Sequence, residues 1–219
     1  MNDQGTDIAA LRENYTQGGL EREGLAGDPL EQFRLWLEEA ISAKLLEPNA
    51  MSLATASVEG IPSIRTVLLK GLDKRGFRFF TNYRSQKGQD LAENESAALS
   101  FFWKELERQV NIQGVVSKVS REETEEYFRS RPYFSQIGAW VSEVQSGEIS
   151  GRCYLEERED LLKMQYPEGA GVPLPDFWGG YVLEPVSLEF WQGRESRLHD
   201  RLRYQKAPNG RWDIVRLSS

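Results

Sequence analysis

AMSLATASV at 50–58, the pair Glu59-Gly60 and PSIRTVLLKGL at 62–72 read as two strands joined by a tight turn. Apolar and small polar residues alternate here, which is the period of a half-buried strand. The turn Asp73-Lys74-Arg75-Gly76 leads into a third strand, FRFFTN, at 77–82. Working outward, Ser85 caps a short helix to about Asn94, and AALSFFWKE (97–105) and ERQVNIQGVVSKVS (107–120) are further strands. Ser120 and Glu123 form a capping box that opens a helix to about Ser130, where Arg131-Pro132 breaks it. A helix covers 151–165, and the strands GGYVLEPVSLEFWQG (179–193), RLHDRLRYQK (197–206) and RWDIVRLSS (211–219) follow. Their turns fall near Gly193 and at Pro208-Asn209-Gly210.

On the other side, the first forty-five residues read as helical. Asp28-Pro29-Leu30-Glu31 supplies a cap, a proline in the first helical position and an acid in the third. Leu30, Phe33, Leu37, Ala40, Ile41 and Leu45 recur at helical spacing until Pro48. Short strands at near-regular spacing with helices outside predict a mainly β, β+α fold, a small antiparallel barrel in one domain over 1–219. No repeat or low-complexity linker divides the chain.

Composition narrows the chemistry. With one cysteine, Cys153, and one histidine, His199, among 219 residues, neither a disulfide framework nor an ordinary zinc or iron site is expected. There is no G-x-S-x-G, no Walker loop and no G-x-G-x-x-G after a strand, so a redox cofactor here is organic and held outside a Rossmann fingerprint. The apolar runs are too short to cross a bilayer, and the N-terminus lacks signal-peptide character, giving a cytoplasmic expectation. A net charge of −7 argues against nucleic acid as the main partner. The cations nevertheless clump: Arg65 with Lys70, Arg84 with Lys87, Arg129 with Arg131, and Arg194 through Arg203. Such clusters suit small anions, or are ordinary solvated surface.

In Arg197-Leu-His199-Asp-Arg201-Leu-Arg203, strand alternation puts Arg197, His199, Arg201 and Arg203 on one face, a row that repels itself unless an anion or carboxylate answers it. An exposed strand face reads equally well. Tyr127 and Arg131, four apart, form a phosphate grip or a plain helix terminus. Arg65 and Lys70 differ by an odd number, so on one strand they face opposite sides and serve two anions, or one of them is surface. Among the aromatic residues, Trp191 beside the cationic strand is the candidate ligand wall.

Taken together, RTVLLK (65–70), FFTN (79–82), ERQV (107–110), SRP with SQIGAW (130–140), FWGGY (177–181) and EFWQG with RLHDR (189–201) resemble the pyridoxamine 5′-phosphate oxidase family. The likeness begins at LRENYTQGGL (11–20) and runs almost end to end. It implies a split β-barrel of antiparallel Greek-key type with peripheral helices, forming a homodimer with FMN at the subunit interface. The implied FMN site comprises Arg65, Thr66, Val67, Leu68, Leu69, Lys70, Phe80, Thr81, Gln86, Lys87, Gln109, Gln145, Ser146, Trp191 and Arg201, with Arg65 and Lys87 on the phosphate. Lys70, Tyr127, Arg131 and Ser135 are implied at a substrate phosphate. Arg197 and His199, the implied catalytic pair, lie against the pyridine ring, and Arg12 and Tyr15 belong to an N-terminal segment (1–20) that closes over it. The chain departs from the family at Gln86, where an arginine is usual, leaving FMN weaker unless Arg84 substitutes, and in a Glu143–Ser146 stretch one residue longer. The implied reaction is oxidation of pyridoxamine or pyridoxine 5′-phosphate by O2 to pyridoxal 5′-phosphate and peroxide. Rival readings are another FMN split-barrel oxidoreductase, a non-catalytic pyridoxal phosphate or flavin carrier, and an oligonucleotide-binding barrel.

Overall fold

The computed structural model describes Tyr15 and residues 18–219, apart from the side chain of Arg197. Its elements are α1 (Pro29–Ser42), β1 (Ala50–Ala56), β2 (Pro62–Leu68), β3 (Gly71–Asp73), β4 (Gly76–Asn82), α2 (Gln86–Glu93), β5 (Ser96–Trp103), β6 (Arg108–Lys118), α3 (Arg121–Ser130), α4 (Tyr133–Val141), α5 (Arg152–Gln165), β7 (Trp178–Gln192), β8 (Asp200–Lys206) and β9 (Trp212–Arg216). All pairings are antiparallel, in the order β2-β1-β5-β6-β7-β4-β3, with β8 added to β7 and β9 to β8. The chain leaving β2 at one end of this path becomes β3 at the other. Leu69 N–H donates to Asn49 and Lys70 N–H to Arg78, so the path curls round on itself at residues 69–70. The antiparallel barrel expected from strand spacing is a split β-barrel.

Strand alternation builds the core. Along β1 every second residue is buried, and Met51 and Leu53 meet Phe77, Phe79, Leu99, Phe101, Val110, Ile112, Leu188 and Phe190 inside. Helix α1 plugs this interior with Phe33, fully buried and edge-on to Phe77 at 4.9 Å and Phe101 at 4.7 Å, and with Trp36, edge-on to Phe190 at 5.1 Å. Burying one such ring contributes about 1.5–3 kcal/mol, and each aromatic pair about 0.5–1.5 kcal/mol more. A second cluster, with Phe128, Ile137, Leu162, Phe177 and Trp178, joins α3, α4 and α5 to the start of β7.

Two readings of the sequence need correction. Residues 18–28 hold only a single 3₁₀ turn, and α1 stops at Ser42 rather than Leu45. The end is a Schellman motif: Lys44 is left-handed (φ 57°), its N–H bonds Ile41 O, and Leu45 N–H bonds Ala40 O. Lysine at the position usually held by glycine hid the stop. Helix α4 is the second case, since Tyr133–Val141 lies directly after the predicted break at Arg131-Pro132 and was not anticipated. Pro132 is its N-cap, so the proline that ends one helix also begins the next.

Candidate functional site

One cleft of about 560 Å³ opens between β2, β4, α2, α3, α4 and the first residue of β7. Its first end is built on Arg65 and Lys87. Arg65 points inward from β2 and donates to Thr55 Oγ1 (2.7 Å), to Ser63 Oγ and, more weakly, to backbone carbonyls. The carboxylate of Asp90 is 3.9 Å away and accepts from Thr55 (2.5 Å), Ser63 (2.9 Å) and Gln86 (2.8 Å). Burial pushes the Asp90 carboxyl up, but these hydrogen bonds and Arg65 outweigh it and hold it below the usual range. Ser85 caps α2, and in the next turn Lys87 is only 7% exposed, with Ser85 Oγ at 3.2 Å. Burial, assisted by the charge of Arg65, pushes the Lys87 ammonium down to about 8. A buried lysine and a half-buried arginine against one carboxylate leave this end short of negative charge, the electrostatic signature of an anion site.

The second end carries Tyr127, Arg131, Ser135 and Lys70. Tyr127 stacks on Phe80 (3.9 Å between centroids) and Phe80 on Trp178 (5.5 Å), making a wall of three parallel rings. The Arg131 guanidinium sits 4.6 Å from the Trp178 ring centre, and its Nη1 is buried with no hydrogen-bond partner. An unpaired buried guanidinium nitrogen is costly, so an acceptor is wanted there. Burial lowers the Arg131 pKa, opposed by Tyr127, and raises that of Tyr127, opposed by Arg131. The glycines of FWGGY make the wall possible: a Cβ at Gly180 would lie 2.7 Å from Phe80, and one at Gly179 only 2.0 Å from the Tyr83 hydroxyl. The shared helix face expected for Tyr127 and Arg131 is not the means of their meeting. Helix α3 ends at Ser130, and Arg131 reaches the cleft from an extended C-cap.

The odd spacing of Arg65 and Lys70 resolves in a similar way. They do not share a strand, because β2 ends at Leu68, and both line the cleft. Thr66, Val67, Leu68, Phe80, Thr81 and Gln145 also line it. Leu69 does not, since its side chain is buried in the barrel core and its N–H and carbonyl are both taken by Asn49. Gln86 and Ser146 line an adjoining cleft, where Gln86 N–H donates to Ser146 Oγ (3.2 Å). Arg84, expected as the substitute for the cation missing at Gln86, lines the adjoining cleft, where it pairs with Glu143 (2.8 Å) and lies over Phe177.

The remaining expected residues gather elsewhere. Gln109, Trp191 and Arg201 stand side by side across β6, β7 and β8. His199 is 4.7 Å from Trp191 between ring centres, and Tyr15 meets both rings edge-on, at 5.3 and 5.6 Å. Trp178 and Trp191 lie on the same strand thirteen residues apart, at ~3.3 Å per residue a stretch of roughly 43 Å along the chain, and none of Gln109, Trp191, His199 and Arg201 lines the cleft. The expected row of four cations is not a row. Strand β8 begins at Asp200, Arg197 belongs to the 3₁₀ turn Glu195–Arg197, and Glu189 answers Arg201 at 2.8 and 3.1 Å. Arg12, and the Arg197 side chain, lie outside the described residues.

Sequence reasoning missed Asp90, Thr55 and Ser63, whose hydroxyls and carboxylate aim Arg65, and Trp178, which stood unremarked inside FWGGY. It also missed Asn82, Gly138, Ala139 and Ser142 on the cleft wall, mostly because α4 was unread.

Residues 37–158 match the family model described as pyridoxamine 5′-phosphate oxidase, and 178–219 match that of the pyridoxine 5′-phosphate oxidase C-terminal dimerisation region. A pyridoxine/pyridoxamine 5′-phosphate oxidase of Cupriavidus taiwanensis is 54% identical over 213 residues, covering 97% of this chain and 99% of that one. One from Salinibacter ruber is 53% identical over 212 residues, covering 96% and 98%. Among solved structures, PhzG from Burkholderia lata 383, in complex with tetrahydrophenazine-1-carboxylic acid, superposes with a TM-score of 0.87 at 30% identity, covering 94% of this chain and 100% of that one. A pyridoxamine 5′-phosphate oxidase-related, FMN binding protein from Nostoc punctiforme has the same fold at a TM-score of 0.69 and 16% identity, covering 85% and 97%.

Proposed function

This chain belongs to the pyridoxamine 5′-phosphate oxidase family, and from that premise we propose that it uses FMN to oxidise pyridoxamine or pyridoxine 5′-phosphate to pyridoxal 5′-phosphate. It is an oxidoreductase of vitamin B6 metabolism. The observation that carries the specific reaction is one cleft with two cationic ends, Arg65 with Lys87 and Arg131 with Lys70, joined by flat aromatic and backbone walls. Two phosphates in one site call for two such ends.

The donor set fits the cofactor. Arg65, pre-aimed by Thr55, Ser63 and Asp90, and buried Lys87 hold the FMN phosphate, with the 66–68 backbone and Thr81 along the flavin. The orphaned Nη1 of Arg131, with the Tyr127 hydroxyl, Ser135 and Lys70, holds the substrate phosphate. When bound, FMN would supply the two-electron chemistry, accepting hydride from the substrate C4′ carbon and being reoxidised by O2 with release of peroxide. From the alcohol the aldehyde forms directly; from the amine the substrate imine is hydrolysed to aldehyde and ammonia. The protein's contribution is position: two phosphate grips fix C4′ without a covalent link to the chain.

Gln109, Trp191, Arg201 and His199 do not line the cleft of their own chain, and Arg197 belongs to the turn just before His199. We therefore read them as completing the cleft of a second copy in a homodimer, a reading supported by the match of 178–219 to a dimerisation region. Tyr15 and Arg12 would close over that shared site. No described helix is long and apolar enough to cross a membrane, and the proposed location is the cytoplasm.

The test is anaerobic. Pyridoxamine 5′-phosphate added to FMN-loaded protein should bleach the visible flavin band, and air should restore it with release of peroxide. A band that persists would overturn this substrate assignment and favour another oxidoreductase of the same fold or a carrier.

A further inference from the structure

We propose that Asp200 is a positioning residue which, through Arg194, holds the His199 imidazole with its proton on Nε2. The inference rests on the reading above, in which His199 meets the substrate ring. The backbone N–H of Arg194 lies 3.1 Å from His199 Nδ1. A peptide N–H only donates, so Nδ1 supplies the lone pair and the neutral ring carries its proton on Nε2. In that tautomer Nε2 orients an acceptor atom of the substrate and cannot remove a proton from it.

The N–H that fixes this tautomer is itself fixed by a buried carboxylate. Arg194 Nη1 donates to Asp200 Oδ2 at 3.2 Å, and Asp200 is 7% exposed. The same carboxylate accepts from Leu20 N–H at 2.9 Å and from Arg216 Nη1, while Arg216 Nη2 donates to Leu20 O at 3.0 Å and Glu21 Oε2 at 2.8 Å. One side chain thus joins three stretches: the chain entering at Gly19–Leu20, the 193–199 loop and strand β9. Gly19 is part of the fit, because a Cβ there would lie 2.1 Å from Arg194 Nη1 and 3.1 Å from Asp200 Oδ2. Four residues upstream, Tyr15 packs edge-on against His199 and Trp191. The carboxylate therefore registers both the ring and the segment that covers it.

His199 is the only histidine in the chain, so the protein carrying ¹⁵N-labelled histidine gives one imidazole signal pair. In the FMN-loaded wild type at pH 8 we expect the pattern of an Nε2–H tautomer. Asp200→Asn should yield a mixture of tautomers and raise KM for pyridoxamine 5′-phosphate about fivefold or more, with kcat changed far less and the flavin retained. Gly19→Ala, which displaces the Arg194 guanidinium and leaves the carboxylate in place, should reproduce both changes. An Nδ1–H pattern in the wild type would overturn the proposal. So would variants that melt at lower temperature yet keep the wild-type imidazole pattern and KM, since Asp200 would then be only a structural clamp. The spectrum reads the tautomer whether or not this substrate is turned over, so failure of the functional reading would be seen separately.

Discussion

The two ends of β7 differ in how they meet charge. At Trp178 Lys87 is buried and Arg65 and Arg131 are half-buried with few carboxylates, and Arg131 Nη1 has no partner. At Trp191 Arg201 is answered within the chain by Glu189 and Arg194 by Asp200, while Arg203 Nε on the same strand as Arg201 is left without a partner. The first end is built to receive an anion and the second to hold its own shape. A long strand thus carries a receptor at one end and a finished wall at the other, which makes sense if the wall of one copy faces the receptor of the next.

Removing the receptor's best-aimed cation should have the largest effect. Arg65→Ala loses charge-assisted hydrogen bonds of about 1.5–3 kcal/mol each, so FMN affinity should fall on the order of 100-fold by flavin fluorescence titration. A fully flavinated variant would count against Arg65 at the phosphate. Arg131→Met removes the cation at the other end of the cleft, and KM for the substrate should rise on the order of 30-fold while FMN stays bound. Equal losses of both ligands would mean that the two ends are not separate sites.

Mixing chains tests the comparison most directly. Arg65→Ala and Arg201→Ala homodimers should each be inactive, but unfolded together and refolded they should regain about one quarter of wild-type activity, because half the dimers then hold one intact shared site. No recovery would place both residues in the site of a single copy. The Lys87 effect is smaller and depends on pH. Its folded pKa, about 8, is depressed from the ordinary lysine value of 10.5, so the unfolded chain binds more protons between these values. Stability of the unliganded protein from this group should therefore rise as pH climbs from 8 to 10.5. FMN affinity should do the opposite, weakening up to ~tenfold per pH unit above 8, because the anion needs the charged form. Lys87→Met should flatten that slope. The smallest effect expected is from Gln86→Arg, about threefold on FMN affinity, since residue 86 faces Asp90 rather than the main cleft.

The strands were legible from alternation and turn residues, which place β1 and β4 and the start of β2, but the strand read through Leu72 ends at Leu68 and resumes as the separate β3. The caps at Asp28, Ser85 and Ser120 were legible for a similar local reason. What local pattern could not supply was the conformation at single points. Lys44 takes a left-handed turn without glycine, Pro132 starts a helix as well as stopping one, and β8 begins three residues after Arg197. The cleft residues were named mainly through family likeness. Residue spacing alone left Arg65 with Lys70 and Tyr127 with Arg131 undecided, because both pairs meet through bends after a strand or helix has ended. The supporting shell of Asp90, Thr55 and Ser63 carries no motif, only proximity that the folded sheet creates.

Strand β7 has one more consequence, for how the protein is made. It is the sole partner that β4 and β6 share, yet it leaves the ribosome 60 residues after Lys118. At ~5–20 residues per second, the β6 edge waits roughly 3–12 s for its neighbour and the β4 edge, which ends at Asn82, roughly 5–19 s. During that interval FRFFTN and VNIQGVV are open, apolar strand edges, a template for any other nascent chain. Crowded expression should therefore penalise this protein before it is finished, and slower initiation should raise the yield of folded chain without altering any contact in the final structure.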